Sequence, residues 1–389
     1  MTSKERVLAA MRRQPVDYVP CSPIFNPLLE QQRVGYRWQF PFGPSEREMA
    51  EYAVQVLGTD YVEYLIYPGG KYRGNVCTGR YFPAPEVTSN VWMDGDIIHK
   101  VWQTPAGQLH AAVKYEAAWP YGMDIPFFQD HQGLMVEHWI KTEADVECLG
   151  YVFRPPWKKE HFDLLRLRAR QSGELADRLQ IARGAFIGNG LSGALELIGA
   201  EKLCMMAIEN PGLIDAYLEI DHRMNVRNME IACDLGADII MRNGFYETSD
   251  FYSPAMLEKF LGRRLREEIA TVHQAGKVFS YTINTGVMPI LDYLKGLDCD
   301  VLLGIDMDFP GADIRAIQAK LGDRKSFWLG PPSQTRLWAK DGGPARQGVR
   351  EAFEVFGKTG LILSASVSSH SIMPWENTLA MIDEWKKLR

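Results

Sequence analysis

From residue 182 onward, short apolar runs alternate with longer stretches of helical periodicity. The runs ARGAFIGN (182–189), ADIIMRN (237–243), KVFSYTIN (277–284), CDVLLGID (299–306), SFWLGPP (326–332) and GLILSAS (360–366) are nearly continuous in apolar residues. That is the pattern of parallel strands covered on both faces. Between them lie AEKLCMMAIENPGLIDAYLEIDHRMNVRNMEIACDLG, SPAMLEKFLGRRLREEIATVHQAG, PILDYLKGL, GADIRAIQAKLG and ARQGVREAFEVFG, all of helix length. Two earlier runs, VPCSPIF (19–25) and TDYVEYLIYP (59–68), raise the strand count to the eight that close a (β/α)8 TIM barrel. The expected fold is therefore α/β, one barrel domain over residues 1–389.

The rhythm breaks between about residues 69 and 151. In VWMDGDIIHKVWQTPAGQLHAAVKYE, DG and PAG turn signals separate alternating runs, which predicts an antiparallel β insertion after the second strand, lying over the barrel mouth. It carries His99, His110, His131 and His138, with Trp92, Trp102, Trp119, Phe127 and Phe128 either packing it onto the barrel or walling a substrate. The opening MTSKERVLAAMRRQP reads as an amphipathic helix capped by Thr2 or Ser3, without the apolar core and cleavage site of a signal peptide. No run approaches the roughly 18 apolar residues of a membrane span, so cytoplasmic placement is expected.

Composition narrows the function classes. Of the 389 residues 46% are hydrophobic and 24% charged, as in soluble globular proteins. A net charge of −6 argues against a nucleic-acid binder, which needs clustered cations, and favours a small-molecule or protein partner. The six cysteines (21, 77, 148, 204, 233, 299) contain no CxxC pair, which argues against a disulfide framework or zinc knuckle.

In such barrels the chemistry sits at the C-terminal strand ends. Those ends bring Ser22, Phe25, Tyr67, Asn189, Arg242, Asn243, Thr282, Asn284, Asp306, Asp308, Ser333, Ser366, Ser368 and His370 to the mouth. Alternation along a strand turns Thr282 and Asn284 into the barrel, and Tyr281 and Ile283 toward the helices. Tyr281, Asn284, Arg242 and His370 are hydrogen-bond donor types, and an imidazole titrating near neutrality suits a general acid. Glu247 follows Arg242 and Asn243 in IIMRNGFYETSDFYSP and joins them as a substrate-binding candidate. Asp306 and Asp308 share a face as a carboxylate pair or as anchors of loop backbone. GNGLSGALELIG lacks a phosphate-loop spacing and reads as close packing at the barrel top.

The segments TSKERVLAAMRRQPVDYVP, GALELIGAEKLCMMAIENPGLIDAYL, FYSPAMLEKFLGRRLREEIATVHQAGK and PWENTLAMIDEW together resemble the uroporphyrinogen decarboxylase superfamily. Within it the chain is more similar to the corrinoid-linked methyltransferases. The Arg-Gln-Ala-Gly-Arg stretch with which decarboxylases grip a porphyrinogen is replaced by PCSPIFNPLL. The resemblance implies zinc held by a His-x-Cys after the fifth strand and a Cys after the eighth. Here Thr282, Asn284 and a position near Val367 stand there instead, none a usual zinc ligand, so no metal is expected. It further implies a methyltransferase or demethylase passing a methyl group to a corrinoid on a partner protein, since the chain has no Asp-x-His-x-x-Gly segment of its own; the aromatic mouth and the missing metal point to a methoxylated aromatic or another small methylated compound as substrate. In that role Asn284, Tyr281 and His370 are catalytic, and Arg242, Asn243, Glu247, Thr282, Asn189 and Asp306 bind substrate. A homodimer is compatible with it. A metal-independent decarboxylase or lyase, with Arg242 holding a carboxylate and His370 delivering a proton, is the alternative, and a non-catalytic binding protein the third reading.

Overall fold

The computed structural model describes residues 1–28, 30–32, 34–64, 81–128 and 133–389. Tyr67, Cys77 and His131, with the second half of the run 59–68, lie outside them. In chain order the strands are β1 (Phe25–Asn26), β2 (Val62–Tyr64), β3 (Thr88–Asp94), β4 (Ile97–Thr104), β5 (Gly107–Lys114), β6 (Met135–Glu137), β7 (Ala182–Phe186), β8 (Ile239–Asn243), β9 (Val278–Thr282), β10 (Val301–Leu303), β11 (Ser326–Leu329), β12 (Leu361–Leu363) and β13 (Ser369–His370). Seven of them form one parallel sheet in the order β12-β11-β10-β9-β8-β7-β2.

This sheet curls. Val62 of β2 and Ile362 of β12, at its opposite edges, belong to one buried cluster with Ala182, Ile239, Met241, Val278, Val301, Leu303 and Trp328. The intervening residues Ala185, Ile240, Phe279, Tyr281, Leu302, Phe327 and Leu329 join the separate core beneath the helices. The two-residue alternation of each strand thus sorts the chain into an inner and an outer core. The expected eighth strand, 19–25, takes a looser form. Cys21 bridges Leu363 in parallel, the Ser22 amide donates to the Leu363 carbonyl at 2.9 Å, and β1 pairs with β13, Phe25 opposite Ser369. Pro20 and Pro23 lack the amide hydrogens that a continuous ladder would need.

The N-terminal helix Ser3–Met11 forms as its sequence predicts, with Thr2 and Glu5 making a reciprocal capping box. It lays Val7, Ala10 and Met11 against the inner core. Ser326, at the start of β11, donates to the carbonyls of Ala10 and Met11, so this helix covers the N-terminal end of the sheet. The long apolar stretch after residue 199 is broken at Asn210, which caps the next helix as Pro211 opens it, giving Ala200–Glu209 and Pro211–Asp234.

Between β2 and β7 in the chain, β3 to β6 form a four-stranded antiparallel sheet. It packs toward the C-terminal end of the parallel sheet. The Ile140 amide donates to Leu197 at 2.9 Å, and Phe128 lies against Gly193 in the helix Gly190–Ile198 that follows β7. Phe127 stacks between Trp102 at 5.9 Å and Trp139 at 4.4 Å, and Phe128 meets Phe153 at 5.7 Å. These aromatics pack the added sheet. No helix among the described residues is long and apolar enough to cross a membrane, and the described cysteines are free thiols.

Candidate functional site

Strand β9 organises the mouth. Its outward residues Phe279 and Tyr281, with Ile283 just beyond, lie in the outer core, so Ser280, Thr282 and Asn284 face inward. The buried atoms Ser280 Oγ, Thr282 Oγ1 and Asn284 Oδ1 have no hydrogen-bond partner among the described residues. A buried polar atom left unpaired costs about 1–3 kcal/mol, so water or a ligand is the natural partner of each atom in this row.

Asp306 follows β10 beside them. Its amide donates to the Asn284 carbonyl at 3.0 Å, and its carboxylate accepts from the Asp308 amide at 2.8 Å. Burial raises its pKa, with the Asp308 charge adding to the rise and the Asp308 and Phe309 amides opposing it. Asp308 has another role: Arg336 holds it through Nε at 2.8 Å and Thr335 donates to it at 2.6 Å. The two aspartates are thus not a sharing pair; one is neutralised by a cation and the other is held in a partly dry position.

Asn189 and Asn243, at the ends of β7 and β8, meet at 3.3 Å, the Asn243 amide donating. The Ser-rich stretch before β13 is tied to the segments that follow β10 and β11. Ser333 Oγ donates to the carbonyls of Ser366 and Ser368 at 2.7 and 2.5 Å, and Ser366 Oγ to that of Ile305 at 2.9 Å. His370 touches Ser368 Oγ through Nε2 at 3.2 Å. Burial pushes its imidazole down to about 4, which leaves it neutral at pH 7. An imidazolium acid was expected at this position, and burial of the ring works against it by penalising the charged form.

A second correction concerns Arg242. It pairs across the ladder with Tyr281, so both side chains leave the outer face of the sheet. Arg242 is buried, its Nη1 3.2 Å from Glu247 and its Nε 3.2 Å from Glu268. Tyr281 donates to Glu247 at 2.5 Å and the Leu191 amide to the same carboxylate at 2.9 Å. Beyond Glu268 lies His222 at 3.1 Å, which also reaches Glu267 at 2.7 Å. Burial works to lower the pKa of Arg242, and the charges of Glu247 and Glu268 outweigh that effect and raise the pKa further. Burial raises the pKa of Glu247 and, strongly, that of Tyr281. Arg242, Glu247 and Tyr281 are therefore bound to one another between sheet and helices. Arg242 Nη1 also donates to the Asn243 carbonyl at the end of β8. Gly190, at φ +48°, makes room for the cluster: a Cβ there would stand 2.3 Å from both Arg242 Nη2 and Glu247 Oε1.

The positions at which the resemblance places zinc ligands offer a hydroxyl, an amide and the isopropyl group of Val367, which lies against Gly304. They contain no thiolate, imidazole or carboxylate, and this donor set does not fit zinc.

A sequence profile described as uroporphyrinogen decarboxylase (URO-D) matches residues 117–388. No curated protein matches the chain. Among solved structures, a methyltransferase from Methanosarcina mazei is similar over 100% of this chain and 99% of its own, with 17% identity and a TM-score of 0.65. A B12-independent methionine synthase from a Shewanella species aligns over 57% of this chain and 65% of its own, with 10% identity and a TM-score of 0.40. A 3-keto-D-glucoside 4-epimerase from E. coli aligns over 59% and 86%, with 10% identity and a TM-score of 0.37.

Proposed function

This chain belongs to the uroporphyrinogen decarboxylase family, and from that premise we propose that it is a methyltransferase, moving a methyl group from a small methoxyaromatic compound to a corrinoid on a separate protein. The observation that carries the reading is the inward row of Ser280, Thr282 and Asn284, uncharged and without partners among the described residues. Hydroxyl and amide groups of this kind suit a neutral polar ligand. A carboxylate substrate would want a cation, and Arg242, named for that task in the decarboxylase alternative, is committed to Glu247 and Glu268. The whole-length likeness to the Methanosarcina methyltransferase supports the same direction at the level of fold.

The corrinoid, held on the partner protein, would supply the nucleophile for the methyl group. As the methyl carbon leaves the ether oxygen, that oxygen gains the bonding pair and needs a proton. Asp306 is suited to deliver it, because burial favours its protonated form. Asn284 and Thr282 orient the aromatic substrate, Asn284 Nδ2 donating toward the developing charge. Asn189 and Asn243 bound the mouth on the β7–β8 side.

The test is incubation of the purified protein with neutral 2-methoxyphenol and free reduced cobalamin, with a methoxybenzoate run in parallel as the carboxylate control. Demethylated phenol and methylated corrinoid should appear in equal amounts, and neither without the corrinoid. Demethylation independent of corrinoid, or release of carbon dioxide, would overturn the reading. In the same assay Asn284→Ala should slow turnover by roughly 10- to 10³-fold, the range for removing one donor to developing charge. An unchanged rate would remove Asn284 from the site.

A further inference from the structure

The added sheet carries a side-chain cluster that the methyl-transfer reading leaves unused. Trp92 on β3, His99 on β4, His110 on β5 and Glu137 on β6 stand on one face of four adjacent strands, set by the registers Trp92 opposite His99, Val101 opposite His110 and Ala112 opposite Glu137. Trp92 lies on His99 at 5.1 Å and 8°, and His99 meets His110 edge to edge at 5.3 Å and 18°. His99 Nδ1 lies 3.2 Å from His110 Nε2, and His110 Nδ1 lies 3.0 Å from Glu137 Oε2. The other carboxylate oxygen of Glu137 is 2.8 Å from Lys141 Nζ.

We propose that His99 Nδ1 and His110 Nε2 form a binding site for a divalent transition-metal ion of the Zn²⁺ or Cu²⁺ class. The tautomers follow from the partners. An ionised carboxylate only accepts, so His110 carries its proton on Nδ1 toward Glu137, and its Nε2 presents a bare lone pair. Carboxylate to imidazole to metal is the arrangement that orients metal-binding histidines and raises their basicity. In the free protein that lone pair accepts the His99 Nδ1 proton. When His99 moves its proton to Nε2, both facing nitrogens become ligands.

The spacing fits. Two nitrogens at about 2.0–2.1 Å from a tetrahedral ion stand about 3.3–3.4 Å apart, and at a right angle about 2.9 Å. The observed 3.2 Å lies between these values, and each ring must turn so that its lone pair meets the other's at the ion instead of facing it. Water fills the remaining positions. The class of ion follows from the donors: two imidazoles favour zinc, copper or nickel, while magnesium and calcium need oxygen ligands. Glu137, the available carboxylate, is engaged by His110 and Lys141. A bound ion would tie β4 to β5 directly, with β6 holding the orienting carboxylate. This inference does not rest on the methyl-transfer reading.

The test is calorimetric titration of the chelator-treated full chain with CuCl₂ and ZnCl₂, with circular dichroism confirming that each variant keeps its sheet. One equivalent of Cu²⁺ should bind, and millimolar Mg²⁺ should not displace it. His99→Ala and His110→Ala should each weaken binding at least about 100-fold, and Glu137→Gln about 10- to 100-fold, as expected for loss of an orienting carboxylate. Wild-type affinity in both histidine variants, displacement by Mg²⁺, or no binding of either ion would overturn the proposal.

Discussion

Asp306→Asn is expected to slow turnover by roughly 10²–10⁴-fold, the span for losing a general acid, and to abolish the alkaline limb of the pH profile. The sign follows from the environment. Burial raises the carboxyl pKa above its ordinary value, and the acid works only while protonated. Activity in the wild type should therefore hold at low pH and fall as pH rises through the raised pKa. His370→Ala serves as the contrast. Its imidazole, pushed down to about 4 and neutral above that, should leave the alkaline limb in place when removed. A His370→Ala enzyme that loses the limb while Asp306→Asn retains it would transfer the acid role from the end of β10 to β13.

Arg242→Met is expected to destabilise the protein by about 3–5 kcal/mol, the usual loss when one member of a buried ion network is deleted. Glu247 and Glu268 would be left within the outer core without their cation, whereas Tyr281 and His222 would still donate to them. Adding Glu247→Gln to Arg242→Met should recover part of the loss, because it removes one orphaned charge. Urea unfolding of the three proteins measures this directly. A loss below about 1 kcal/mol in the single variant would show that water enters the cluster and that Arg242 is not sealed as described. Partial recovery in the double variant separates repulsion between stranded carboxylates from simple loss of packing.

The repeat of strands and helices was legible because each strand is apolar on two faces, and the added antiparallel sheet because DG and PAG turns fix its hairpins. The inward setting of Thr282 and Asn284 followed from alternation alone. The same rule held the signal for Arg242: once Ile239 and Met241 are inward, Arg242 must be outward, beside Tyr281 in the register. Its charge and its place at a strand end favoured a mouth-facing reading over the geometric one. The burial of His370 had no such local signal, since its surroundings include β1, which is remote in sequence. The His99 and His110 pair was recoverable in principle. A turn joining Thr104 to Gly107 places Val101 opposite His110, and His99 one diagonal step away. The proton arrangement between the two rings, however, depends on Glu137 arriving from a third strand.

The seam between β1 and β13 has a consequence for the order in which the molecule acquires its shape during synthesis. Ile24 and Ser364, linked by a 3.4 Å hydrogen bond, are 340 residues apart. At about 5–20 residues per second, the later partner leaves the ribosome roughly 17–70 s after the earlier one. Throughout that interval the nascent sheet has an unzipped margin at Pro20 to Asn26, and His370 has yet to be made. Segments of such high sequence separation are joined late, because loop closure must be met before their contacts contribute. A stalled or truncated chain would hold folded helices and an assembled hairpin sheet, yet lack the wall that completes its mouth.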